Sequence, residues 1–104
     1  SSAASDVYKR QYRKNTPKQV GAYKVLRLRD YKNDVITDLA TGETIPTGLP
    51  KSNVLYFELE NDAWFCVRPS GTEPKIKFYA GIKGNSLDDS AKKLDELMEA
   101  IKNA

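Results

Sequence analysis

Asn53-Val54-Leu55-Tyr56-Phe57-Glu58-Leu59-Glu60-Asn61-Asp62-Ala63-Trp64-Phe65-Cys66-Val67 reads as a β-hairpin, and the rest of the chain can be placed around it. Alternation puts Leu55, Phe57 and Leu59 on one face of the first strand and Val54, Tyr56 and Glu58 on the other. Asn61-Asp62 supplies the turn, because Asn and Asp tolerate the left-handed backbone that a two-residue hairpin connection requires. The return strand is Ala63–Val67. Tyr56, Trp64 and Phe65 are read as cross-strand packing pairs and not as a platform for bases or sugars, since aromatics in paired strands stack mainly on each other.

Downstream, Lys75-Ile76-Lys77-Phe78-Tyr79-Ala80-Gly81-Ile82 alternates again. Ile76, Phe78, Ala80 and Ile82 fall on a core face, and Lys75, Lys77 and Tyr79 on the opposite one. Leu87, Ala91, Leu94, Leu97 or Met98, and Ile101 recur at helical spacing, with Ser86 as N-cap, Asp88 and Asp89 at the positive end of the helix dipole, and Asp88/Lys92 and Asp89/Lys93 as i, i+4 pairs. Upstream, Ala22–Arg29 is β-rich and loosely alternating. Val35–Asp38 reads as a short edge strand, followed by a connection punctuated by Gly42, Pro46, Gly48 and Pro50. Residues 1–13 read as a tail or an incomplete helix, in which Tyr8 and Tyr12 could share a face before Pro17 ends it. The expected fold is therefore α+β: a two-layer sandwich with an antiparallel sheet of about four strands and the C-terminal helix on one face, with room for a short N-terminal helix.

Composition narrows what such a domain can do. With 39% hydrophobic and 30% charged residues in 104, the chain is composed like a soluble, folded single domain, too small to build a deep catalytic cleft unaided. No run approaches the roughly 20 apolar residues of a membrane span, which sets the expectation of a cytoplasmic protein with no membrane partner. The lone Cys66 can form no internal disulfide and is read as structural. Histidine is absent, which removes the usual general base near neutral pH and leaves Ser70 without an evident activating partner as a nucleophile. No catalytic residue and no metal ligand is therefore expected here. The net charge of +3 is concentrated early, in nine Lys and Arg against three Asp and Glu over residues 1–34.

One loop has the parts of an oxyanion site. Arg68-Pro69-Ser70-Gly71-Thr72-Glu73-Pro74 follows a strand and offers a charged fork, two short hydroxyls and a glycine that lets backbone N–H groups turn inward. Lys75 or Lys77 on the outgoing strand can add a point charge. The same residues also suit a plain hairpin connection, and composition alone leaves both readings open.

Arg68-Pro69-Ser70-Gly71-Thr72-Glu73-Pro74-Lys75-Ile76-Lys77 resembles the phosphate-binding loop of the C-terminal domain, domain 4, of the α-D-phosphohexomutases, the phosphoglucomutase and phosphomannomutase family. Leu49-Pro50-Lys51-Ser52-Asn53-Val54-Leu55 and the helix from Ser86 are similar to the bacterial phosphoglucomutase branch, so the resemblance covers residues 14–104. Residues 1–11 depart from it. The resemblance implies that Arg68, Ser70, Gly71 and Thr72 hold the phosphate of a hexose phosphate that is not being transferred. It makes Lys77 the additional cation ahead of Lys75. It further implies an intramolecular phosphotransferase whose phosphoserine loop, Mg²⁺-binding loop and sugar-selecting loop lie in other domains. On that reading this domain alone is inactive, and its partners are those domains and glucose 1-phosphate, glucose 6-phosphate or a mannose phosphate. Two other classes remain. One is a nucleic-acid-binding module using Lys9, Arg10, Arg13, Lys14 and Lys18, and the other a phospho-ligand interaction module using the same loop without catalysis.

Overall fold

A computed structural model describes residues 12–70, 72–73 and 75–103. The expected hairpin forms its centre: β5 (Leu55–Leu59) pairs antiparallel with β6 (Trp64–Pro69), setting Phe57 opposite Phe65 and Leu55 opposite Val67. Asn61 and Asp62 both have positive φ, 57° and 59°, and the Ala63 amide donates to Glu60 O at 3.1 Å, which is the geometry of a type I′ turn. Leu55, Phe57, Phe65 and Val67 are fully buried, and the Phe57 and Phe65 rings stack at 4.3 Å. The alternation in the sequence thus becomes the core.

The sheet extends on both sides of this pair. β1 (Gln19–Val20), β2 (Tyr23–Asp30), β3 (Val35–Asp38), β4 (Thr44–Ile45) and β7 (Ile76–Gly81) complete seven strands, ordered β4-β3-β2-β5-β6-β7 with β1 alongside β2. The α+β class is as expected, but about four strands is too few. The surplus comes from two-residue strands, too short to show any periodicity. Val35–Asp38 is also not an edge. Asp38 accepts the Ala40 and Thr41 amides and Gly42 adopts φ 76°, so the chain reverses and lays β4 outside β3. In β2 both Val25 and Leu28 are buried, which breaks strict alternation, because a register shift between Val25 and Arg27 inserts one residue.

One helix, α1 (Leu87–Lys102), covers the core face. Ser86 caps it, its Oγ accepting from the Asp89 amide at 3.1 Å, and Asp89 pairs with Lys93 at 2.9 Å. Among the described residues Asp88 and Lys92 do not close the second expected pair. Leu97 and Ile101 are buried, with Met98 and Ala100 packed beside them. Leu87, expected on this stripe, is 90% exposed. At the first helical position its side chain leans toward the helix N-terminus, away from the turns that meet the sheet. The β1–β2 turn reaches the other end of α1: a Cβ on Gly21 would lie 3.0 Å from Ala100 Cβ.

Residues 12–14 are helical and belong to the packing. Tyr12 is 5% exposed and meets Phe57 and Phe65 edge-on at 5.4 and 6.5 Å. Arg13 reaches Asp30, the one buried charged residue among those described, with Nε at 2.7 Å. The expected Tyr8 partner of Tyr12 lies outside the described residues.

Candidate functional site

Helix α1 and the core occupy one sheet face, leaving the other to Arg27, Arg29, Tyr56, Glu58, Trp64, Cys66, Arg68, Lys77 and Tyr79. Two of its cations are already matched. Glu58 takes Arg27 Nη2 at 2.9 Å and Arg29 Nε at 2.8 Å, and its carboxyl titrates below the usual range because the Arg27 bond, with Arg29's, outweighs burial. Across the sheet the balance is different. Arg68, last but one in β6, lies directly opposite Lys77 in β7, and both are exposed. Among the described residues neither closes an ion pair. Like charges set opposite each other in a ladder repel, so this pair costs the isolated fold something.

The loop beyond Arg68 is folded on itself. Ser70 N donates to Lys75 O at 2.8 Å and Lys75 N to Glu73 O at 2.8 Å. Ser70 Oγ accepts the Thr72 and Glu73 amides at 3.4 and 3.3 Å, both long. Two backbone donors therefore converge on one oxygen, the arrangement a phosphate oxygen can use in its place, while the Ser70 hydroxyl keeps its own proton to donate. Thr72 is exposed. Gly71 and Pro74 lie outside the described residues. Lys75 is drawn to Glu73 at 2.9 Å, which distinguishes it from Lys77, unpaired among the described residues.

Tyr79 shares the Lys77 face, as alternation predicts, and its ring centroid lies 5.7 Å from the Arg68 guanidinium carbon. The contact runs along a diagonal of the sheet: Tyr79 faces Cys66, two residues before Arg68. Burial pushes the half-buried Cys66 thiol up, against the opposing pull of Arg68. Tyr56 and Trp64 stack on each other at 5.4 Å, as cross-strand pairing predicts. A concavity of about 300 Å³ lies beside them at the Asn61 end of the hairpin, at the opposite end of β6 from the loop. Its walls include Glu58 and Asp62, already bonded to Arg27 and Lys83, so it offers an anion little.

Of the early basic run, one described member is engaged. Arg13 is spent on Asp30, Lys14 and Lys18 are exposed, and Lys9 and Arg10 lie outside the described residues. No described helix is long and apolar enough to cross a membrane.

The family described as "Phosphoglucomutase/phosphomannomutase, C-terminal domain" matches residues 22–104. A phosphoglucomutase of Staphylococcus epidermidis is 38% identical over 88 residues, which is 83% of this chain and 16% of that protein. Phosphoglucomutases of Staphylococcus aureus are 36% identical over 87 residues in strain MSSA476 and 35% over 88 in the bovine strain RF122, covering 84% and 85% of this chain and 16% of theirs. The chain thus spans 16% of the length of these relatives. No solved structure gives a significant match.

Proposed function

The chain belongs to the phosphoglucomutase/phosphomannomutase C-terminal domain family, and from that premise we propose that it serves a cytoplasmic enzyme moving phosphate within a hexose phosphate, by anchoring the phosphate that is not transferred. The observation that carries this reading is the opposed pair Arg68 and Lys77, exposed and unmatched by a carboxylate among the described residues, beside the two amides converging at Ser70. Arg68 is the bidentate donor, Lys77 a second charge, and Ser70, Gly71 and Thr72 the short donors. The role is positioning: a phosphate held at one end of the sugar brings the other end to chemistry supplied by other domains. Among the described residues no group of three or more His, Cys, Asp or Glu could hold a metal ion, and we place the Mg²⁺ that assists transfer in another domain. Glucose 1-phosphate and glucose 6-phosphate are the substrates we expect first, with mannose phosphates as the alternative sugar.

The domain proposed on the sequence runs from residue 14 to 104. Tyr12 and Arg13 are nevertheless held by Phe57, Phe65 and Asp30, so the unit to be expressed starts at or before Tyr12.

In the parent enzyme, Arg68→Ala is expected to lower kcat/KM for glucose 1-phosphate by one to two orders of magnitude, the net loss of one charge-assisted contact of about 1.5–3 kcal/mol. An unchanged kcat/KM in a folded variant contradicts the anchoring role.

A further inference from the structure

We propose that Tyr79 is a positioning residue for Arg68, its ring face fixing the guanidinium where a substrate phosphate meets it; the inference rests on the anchoring role given above to the loop. Arg27 and Arg29 are oriented by Glu58, at 2.9, 3.0 and 2.8 Å, and those contacts occupy N–H groups that would otherwise bind an anion. Arg29 also lies 5.6 Å from the Tyr56 ring, but among the described residues Arg68 has a ring contact and no carboxylate. Its guanidinium carbon sits 5.7 Å from the Tyr79 centroid, and a ring partner, unlike a carboxylate, accepts no hydrogen bond from its N–H groups. Lys77, directly opposite, supplies repulsion and no partner. Without the ring, a long, exposed arginine beside a like charge has many rotamers, and binding must order it each time. Tyr79 is 42% exposed, diagonal to Arg68 on the open face, and outside the core.

The test uses the 104-residue chain with inorganic phosphate and glucose 1-phosphate as probes. Tyr79→Leu is expected to weaken both by about two- to fivefold, the size of an exposed cation–π contact, while Tyr79→Phe, which keeps the ring, binds like the wild type. In ligand-free wild type the Arg68 Hδ resonances should be shifted upfield by the ring. That shift should vanish in Tyr79→Leu and survive in Tyr79→Phe, and the wild-type measurement depends on no variant folding. Wild-type affinity in Tyr79→Leu, an equal loss in Tyr79→Phe, or unshifted Arg68 resonances would each overturn the inference. Arg68→Ala separates the two levels. If it leaves phosphate binding intact, the anchoring role itself falls; if it abolishes binding while Tyr79→Leu does not weaken it, only the role of Tyr79 falls.

Discussion

Replacing Asp30 by Asn should destabilise the domain far more than a surface charge change. The Asp30 carboxylate accepts from Arg13 Nε at 2.7 Å and Nη2 at 3.3 Å, from Asn33 Nδ2 at 2.8 Å, and from the amides of Lys32 and Asn33 at 3.1 and 3.2 Å. Burial alone pushes this carboxyl up, but the bonds from Arg13 and Asn33 outweigh it and its pKa is lowered. Asparagine keeps one acceptor oxygen but loses the charge and turns an NH₂ toward other donors. Hydrogen bonds to a charged group contribute about 1.5–3 kcal/mol against about 0.5–1.5 for neutral ones, so weakening both Arg13 bonds costs about 2 kcal/mol. At about 4–8 °C per kcal/mol for a domain of this size, the thermal midpoint should fall by roughly 8–16 °C. Because the folded pKa is depressed, the charged Asp30 stabilises the fold above its unfolded value of about 3.9 and ceases to do so as pH falls through the lower folded value. The gap between wild type and Asp30→Asn, followed by circular dichroism melts, should therefore be full at pH 7 and narrow below about pH 4. Equal midpoints at pH 7, or a gap that widens in acid, would refute the reasoning.

Two further outcomes follow from the open sheet face. A Cβ on Gly81 would lie 2.3, 2.6 and 2.9 Å from Trp64 Nε1, Cε2 and Cζ2, and the Tyr56 stack limits the ring's retreat. Gly81→Ala should therefore cost about 1–3 kcal/mol of overpacking and change the emission of Trp64, the sole tryptophan, whereas wild-type emission and stability would show the ring is free to move. For Cys66, the pH midpoint of alkylation should lie above that of a free thiol, about 8.5, and move higher in Arg68→Ala, which removes the charge that lowers it. A midpoint at or below the free-thiol value contradicts that.

How much of this was legible depends on the length of the signal. The β5–β6 hairpin, the alternation of β7 and the stripe of α1 each repeat over several residues, and each was found with nearly its true boundaries. The two-residue strands β1 and β4 arise from tertiary pairing and carry no pattern of their own. β2 was read as one strand over Ala22–Arg29, but the bulge at Leu26 blurred which of its residues face the core, since inserting one residue inverts the alternation on either side. In the candidate site, Arg68, Ser70, Thr72 and Lys77 were read from one short motif. Its geometry was not: that Lys77 faces Arg68, that Lys75 is diverted to Glu73, and that Tyr79 backs the guanidinium are facts of register. The Arg13–Asp30 pair was invisible for a related reason. It joins residues 17 apart in sequence, and Arg13 reads locally as one more member of a basic run.

The central claim is that residues 68–77 hold the phosphate of a hexose phosphate, and amide chemical shifts of the 104-residue chain titrated with glucose 1-phosphate test it most directly. A few charge-assisted bonds set against the entropy of association predict a dissociation constant of roughly millimolar. Shifts should concentrate at Arg68, Ser70, Thr72 and Lys77 and be lost in a folded Arg68→Ala. Shifts confined to Lys14 and Lys18, or a response that leaves residues 68–77 unmoved, would contradict it.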